Sequence, residues 1–421
     1  MYGPIRKNID FNYKIFVSAR FLDERVMKKL LGKYLRKLTS QGLAVTDNVA
    51  FVGIDDQVYI AGGLLEKEAG LKNVLMGIKD SMNINSVLLV VPSEPLYSIV
   101  GELIEWRKEG IDRLVPRDTE TRTFLHDIPV VPEFDVTRVV DALSHRKSVV
   151  VKDLCGIVTY GTVSPEQAFV FASSTCFSLF VKYFHDYLSA LKSPEKGVSE
   201  KMSERFRFIR GLIQPPDRRG IDYTAIERED PFQAMVETGR LVVERSLVDS
   251  YFGNISTFKN GIIYISETAS SLDELEDAID EVPFDGSSSV GITASSELPT
   301  HREIYKRTNY RYILHGHPRF SVIISMLCER DCEPDRCYRG CPEDREFMGV
   351  PIVSGEVGTG AHGIVNTVPG ALERSDAVIV YGHGVFTAGV ESFRAPLLRM
   401  MEIERLAMEE YFREVETAAM I

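Results

Sequence analysis

Two histidines spaced i and i+2, His315 and His317, sit in the strand-like run YILHGH. Residues at that spacing project from one face of a strand, so both imidazoles can reach one ion. A third histidine, His383, ends another strand-like run in YGHGVFTAG. Three histidines with an open fourth position describe a catalytic zinc site. Taken alone, H-x-H reads more readily as two hydrogen-bonded histidines at a strand end. Glu297, in ITASSELPTHREIY, stands at a predicted helix N-terminus behind Ser295 and Ser296. Hydroxyls and N–H groups there can hold an anion, or simply cap a helix with an acid in its first turn. The run GNIS at 253–256 reads as a turn or as a polar corner. Cys328, Cys332, Cys337 and Cys341 crowd one short segment, with spacings of three, four and three intervening residues. Four such thiols can close an S4 zinc site or carry an iron–sulfur cluster. Disulfides or free thiols are the alternative, and a reducing compartment disfavours disulfides.

These residues need elements to position them. Residues 23–42 have helical apolar spacing, VAFVGI and QVYIAG read as a hairpin, and SVLLVVP as a buried strand. A helix at SIVGELIEW, a strand at IPVVP and a helix over 137–144 follow. SVVVKDL and GIVTYG are strands, and 165–190 is a long helix. Residues 191–228 are charged and contain Pro215-Pro216, which predicts a linker with at most a short helix. The order then restarts. FQAMVETGRLVVERSLV is a helix, GNISTF and GIIYIS are strands, and HREIYKRT, YILHGH and SVIISML read as helix, strand and helix. VPIVS, AVIVYG and GVFTAG are strands, and 391–414 is the final helix.

The two halves align. SVVVKDLCGIVTYGTVSPEQAF lies over DAVIVYGHGVFTAGVESFRAP, with Cys155 in the place of His383. Asp47-Asn48 parallels Gly253-Asn254, and Ser93-Glu94 parallels Ser296-Glu297. In this alignment the H-x-H place falls near Val115 and Arg117. A tandem duplication follows, with a degenerate first copy. Two unrelated α/β domains sharing strand–turn patterns are the alternative. The expected organisation is 1–190, a linker at 191–228, and a metal-bearing domain at 229–421 with a cysteine-rich insert at 328–341.

Composition limits the function classes. The chain has 421 residues, 44% hydrophobic and 26% charged, enough apolar material for two full cores and against disorder. Its net charge of −12 disfavours a general nucleic-acid binder. No apolar run is long enough for a membrane span, and the N-terminus lacks a signal-peptide pattern, so a cytoplasmic location is expected.

The order GNIS, SSE, HGHP, HGVFTAG over 235–415 resembles the class II aldolase/adducin family, which includes fuculose-phosphate aldolases. The resemblance implies an α/β/α layered domain around a mixed, largely antiparallel sheet. It implies that His315, His317 and His383 bind zinc or another divalent ion, with Glu297 as acid/base. Asn254, Thr268, Ser295 and Ser296 match positions that hold a substrate phosphate. Tyr411 is the candidate for the family's C-terminal tyrosine, which protonates an aldehyde oxygen. One departure is that Thr268-Ala269 replaces the usual Thr-Gly. The implied reaction is cleavage or formation of a phosphorylated ketose through a zinc-stabilised enediolate. A sugar-phosphate epimerase or dehydratase is the alternative within the family. A non-catalytic adducin-like module and a redox sensor are alternatives of other classes. The implied partner is a small phosphorylated sugar, without nucleic acid or membrane. The expected assembly is a homodimer forming a pseudo-tetramer.

Overall fold

The structure is a computed structural model and describes residues 26–106, 112–193, 197–249, 251–287, 290–328, 336–356 and 359–420. It divides into two compact units. One comprises the described residues up to Leu114 together with Asp127–Cys176. The other comprises Val115–His126 with Phe177 onward. The short segment 115–126 therefore packs with the second unit although it lies in the first half of the sequence. The stretch read as a linker contains the helices Glu200–Leu212 and Tyr223–Ile226. Ser199 caps the first and Asp222 the second, each accepting a backbone N–H. Phe206 and Ile209 anchor the longer helix by burial.

In the first unit the strands are β1 (Val49–Ile54), β2 (Val58–Ala61), β3 (Ser86–Val90), β4 (Arg113–Leu114), β5 (Ile128–Val131), β6 (Ser148–Val151) and β7 (Gly156–Gly161). In the second they are β8 (Asn254–Lys259), β9 (Ile262–Ser266), β10 (Ile279–Pro283), β11 (Tyr312–Gly316), β12 (Arg345–Phe347), β13 (Val350–Val353), β14 (Ala377–Val380) and β15 (Gly384–Gly389). The sheet orders are β2-β1-β3-β7-β6-β5-β4 and β10-β9-β8-β11-β15-β14-β13-β12. Apart from the added edge strand β10, the second order repeats the first. Each sheet has one parallel pair, β5 with β6 and β13 with β14. A side-chain bond recurs as well: Thr159 Oγ1 donates to the Ala168 carbonyl and Thr387 Oγ1 to that of Pro396, nine residues on in both cases. The chain is thus two α/β units around mixed, largely antiparallel sheets of one topology, as the sequence repeat predicts. Strand β10 lies in the acidic stretch 273–283, where alternating Ile279, Glu281 and Pro283 conceal an edge strand.

The ladder corrects the internal alignment. Gly156–Gly161 corresponds to Gly384–Gly389, and Thr159 faces Leu88 as Thr387 faces Leu314. Leu89 and Val91 therefore hold the places of His315 and His317, rather than Val115 and Arg117. Ala50 lies across from Leu89 as Asn254 lies across from His315, so Ala50 and not Asn48 matches Asn254. Glu94 follows β3, whereas Glu297 precedes the helix that leads into β11. It is no counterpart of Glu297, and its carboxylate instead accepts from Ser98 N and Oγ.

Successive residues of β11 alternate between two cores, as a strand period of two requires. Leu314 joins Leu241, Met400 and Phe393 on one face. Ile313 joins Ile304, Val378 and Phe386 on the other, which is also the face of His315. No helix among the described residues is long and apolar enough to cross a membrane.

Candidate metal centre

Two neighbouring strand ends build the site. His315 is on β11, with His317 just beyond its end, and His383 immediately precedes β15. Antiparallel pairing of β11 with β15 sets Gly316 opposite Val385. This brings histidines far apart in sequence to ring separations of 4.9–5.0 Å. One nitrogen from each lies within 4.8 Å of the others, the only such group of three or more candidate ligands among the described residues. Glycine makes the approach feasible. A Cβ on Gly384 would collide with the Gly316 carbonyl and lie 2.6 Å from His317 Cδ2 and 2.9 Å from His315 Cε1.

The tautomers follow from the partners. His315 Nδ1–H donates to the Val385 carbonyl at 3.1 Å, so its Nε2 carries a lone pair. That Nε2 faces His317 Nε2 at 3.1 Å. The buried Nδ1 atoms of His317 and His383 have no hydrogen-bond partner among the described residues. Burial pushes His315 down to about 3 and His383 to about 4, and pushes His317 well below the usual imidazole value. Neutral imidazole is the metal-binding form. His315 stacks on Phe386 at 4.0 Å, and His317 lies parallel to Phe252 at 5.9 Å.

Carboxylates surround these rings. Glu297, at the N-terminus of the helix Leu298–Arg307, places Oε2 3.8 Å from His315 Nε2 and Oε1 3.8 Å from His383 Nε2. Burial raises its pKa, against the lowering influence of His383 and of a hydrogen bond from Asn254. Glu120 Oε2 lies 3.6 Å from His383 Nε2. Its helix, Thr119–Leu125, is capped by Asp118 and pinned where Thr119 N and Oγ1 donate to the Gly382 carbonyl at 2.7 and 2.9 Å. Burial, then the negative charges of Glu297, Asp118 and Asp249, push Glu120 up to about 8. Neutral imidazoles whose Nε2 atoms face one another and Glu297, enclosed by carboxylates that repel one another, form a donor set suited to a divalent cation such as zinc.

Of the remaining residues singled out by the sequence, Asn254 is buried, with Nδ2 donating to Glu297 Oε2 and Oδ1 facing His301 Nε2, both at 2.7 Å. One N–H of that amide is left for a ligand. Ser295 N donates to the Ser266 carbonyl, and Thr268 N to that of Thr293, which brings Thr268 beside the start of the Glu297 segment. Thr268 and Ser296 are exposed. Ala269, where the resembling family has glycine, adopts φ +56°, left-handed backbone that glycine occupies without strain. Tyr411 is corrected. It is fully buried among Phe184, Phe320 and Phe412, its hydroxyl donates to the Phe184 carbonyl at 2.6 Å, and it belongs to an aromatic core. Among the described residues, Cys328, Cys337 and Cys341 do not converge into a ligand group, and Cys332 lies outside the described residues.

Sequence reasoning missed Glu120, His301, Ser256 and Tyr305. His301 had a signal, since it follows Glu297 by four residues on a helix and so shares its face. Glu120 had none, because nothing local ties 115–126 to histidines two hundred residues later. At the corresponding places the first unit has Leu89, Val91 and Cys155, and so lacks the donor set.

Residues 233–411 match the family model for the Class II Aldolase and Adducin N-terminal domain. Among solved structures, L-fuculose-1-phosphate aldolase from Thermus thermophilus is 23% identical, over 45% of this chain and 96% of that one, with a TM-score of 0.38. YgbL from Escherichia coli is 21% identical over 42% and 86%, TM-score 0.36. A sugar-phosphate aldolase from Thermotoga maritima is 19% identical over 43% and 93%, TM-score 0.31. No match was found among curated proteins. Strands β8 to β15, with His315, His317, His383 and Glu297, all lie within the matched segment, so the metal centre falls in the part of the chain that matches the Class II Aldolase and Adducin N-terminal domain.

Proposed function

We propose that the protein is a divalent-metal-dependent lyase of the aldolase type, acting on a phosphorylated ketose. The observation that carries this reading is the convergence of three neutral imidazoles with Glu297 set between His315 and His383. A divalent cation held by His315, His317 and His383 would supply Lewis-acid polarisation of a substrate carbonyl. Glu297 then moves the proton at the carbon beside that carbonyl. Burial makes its carboxylate a stronger base than one in water. Phe252 and Phe386 keep apolar walls against the histidine rings, which limits competing water. Glu120 is 19% exposed, against 5% for Glu297, and hydrogen-bonds to substrate hydroxyls at the rim. Thr268, Ser295 and Ser296 take the phosphate, with the free N–H of Asn254.

The first unit is a non-catalytic copy in this reading, because Leu89, Val91 and Cys155 offer no metal set. Two chains associate into a dimer of four related folds, which mass photometry can check. The activity is tested by screening phosphorylated ketoses for release of dihydroxyacetone phosphate. Glu297→Gln keeps shape but cannot accept a proton, so turnover should fall at least about a hundredfold with zinc content retained. Full turnover in that variant, or epimerised product without cleavage, would overturn the assignment.

A further inference from the structure

Behind Glu297 runs a line of buried polar side chains that the metal chemistry does not use. Tyr305 OH lies 2.6 Å from Ser256 Oγ, which lies 2.6 Å from His301 Nδ1. His301 Nε2 lies 2.7 Å from Asn254 Oδ1, and Asn254 Nδ2 lies 2.7 Å from Glu297 Oε2. All five residues are buried.

The directions of these bonds follow from one another. A carboxylate accepts, so the amide turns Nδ2 to Glu297 and Oδ1 to His301. His301 Nε2 must then carry the proton. Burial keeps the ring neutral, with a pKa pushed down to about 3, so Nδ1 has a lone pair and accepts from the Ser256 hydroxyl. The Ser256 oxygen in turn accepts from Tyr305. Every member donates toward the carboxylate.

We propose that Tyr305, Ser256 and His301 are positioning residues that, through Asn254, hold the Glu297 carboxylate in its working orientation. The inference rests on the acid/base reading of Glu297 given above.

The first unit supplies an independent comparison. Ladder register equates Asn254 with Ala50 and Ser256 with Val52. The helix Ala69–Ser81, which leads into β3 as Leu298–Arg307 leads into β11, meets that face with Leu75 and Ile78. Ala50, Val52, Leu75, Ile78 and Leu89 form one apolar core there. The same topology therefore closes without any polar relay, and the relay occurs only in the unit that has the histidines. A buried polar chain is costlier to build than an apolar core of the same shape, so its presence points to a task at the site.

The test uses the zinc-loaded full-length protein with two variants. His301→Leu places at this position the residue type the first unit uses on the same face. His301→Gln keeps a donor toward Asn254. His301→Leu should lower kcat by about tenfold or more, as loss of an outer-shell partner does, with KM and zinc content within about twofold. It should lower the thermal midpoint by only a few degrees, because Ser256 Oγ and Asn254 Oδ1 lose a buried partner while the fold is kept. His301→Gln should recover most of kcat. Long-range nitrogen NMR of the wild type should show His301 neutral, with its proton on Nε2 and slow to exchange. Unchanged kcat in His301→Leu overturns the proposal, as does loss of kcat together with zinc and fold that His301→Gln does not rescue. A His301 proton on Nδ1 overturns it too. Glu297→Gln separates the two readings. Full activity there refutes the acid/base role itself, while loss there with normal His301→Leu refutes the relay alone.

Discussion

Gly384 gives the sharpest test of how tightly the metal centre is built. Replacing it with alanine adds one carbon, 2.6 Å from His317 Cδ2 and 2.9 Å from His315 Cε1. Carbon atoms settle at about 3.5–4.0 Å, so the two rings must retreat by roughly 0.6–1.4 Å. Metal–ligand distances tolerate only about 0.2 Å. The backbone cannot absorb the strain easily, because the same added carbon collides with the Gly316 carbonyl. With two of three ligands displaced, zinc affinity should fall about 10- to 100-fold, a loss of about 1.4–2.8 kcal/mol. Stability of the metal-free protein changes less. Overpacking costs about 1–3 kcal/mol, offset by about 0.4–1 kcal/mol from the stiffer unfolded chain. Chelator-competition titration reads the affinity and thermal unfolding in excess chelator reads the stability. Gly370→Ala, in the helix Val368–Leu372 with nothing within 4 Å of the added carbon, is the control and should leave zinc binding unchanged. If Gly384→Ala bound zinc within about twofold of wild type, the close approach of β11 and β15 would not be what sets the ligand geometry.

Two further outcomes follow from the same geometry. His317→Ala should remove one metal per chain and abolish turnover while leaving the fold intact; elemental analysis with circular dichroism checks this, and retained metal would refute the ligand assignment. Glu404 caps the helix Arg319–Met326 by accepting from Phe320 N and Ser321 N at 2.9 Å, yet burial pushes its pKa up to about 7 from 4.5. A carboxyl group raised in the folded state favours folding when protonated, so its contribution is fully present below the unfolded value and is lost as pH rises through 7. Between pH 5 and 8 that loss is about 2–3 kcal/mol. Denaturant titrations of the metal-free protein should therefore show stability falling over that window by more in wild type than in Glu404→Gln. An equal slope in both would refute the burial argument.

Much of the fold and the ligand set is legible in the residues alone. Spacing of i and i+2 places His315 and His317 on one strand face, and the recurring G-x-x-T-x-G run announces two copies of one topology. Both are local patterns, and local patterns survive in sequence because side-chain direction along a strand has period two. Register is a different matter. The internal alignment sets Asn48 beside Asn254 and Glu94 beside Glu297, and only hydrogen-bonded pairing shows Ala50 in the first place and Glu94 beyond its strand. Tyr411 illustrates another limit. An aromatic on a terminal helix can face a site or a core, and its packing on Phe184 and Phe320 decides for the core. What the amino-acid sequence determined by itself was the set of ligand types and their order along the chain. What the tertiary structure alone decided was which groups surround them. Glu120 reaches His383 because Thr119 is tied to the Gly382 carbonyl, and His301 reaches Asn254 because the helix Leu298–Arg307 turns His301 and Tyr305 toward β8. Those contacts join residues far apart in sequence, and their energies come from burial and partner geometry, which exist only once the chain has closed on itself.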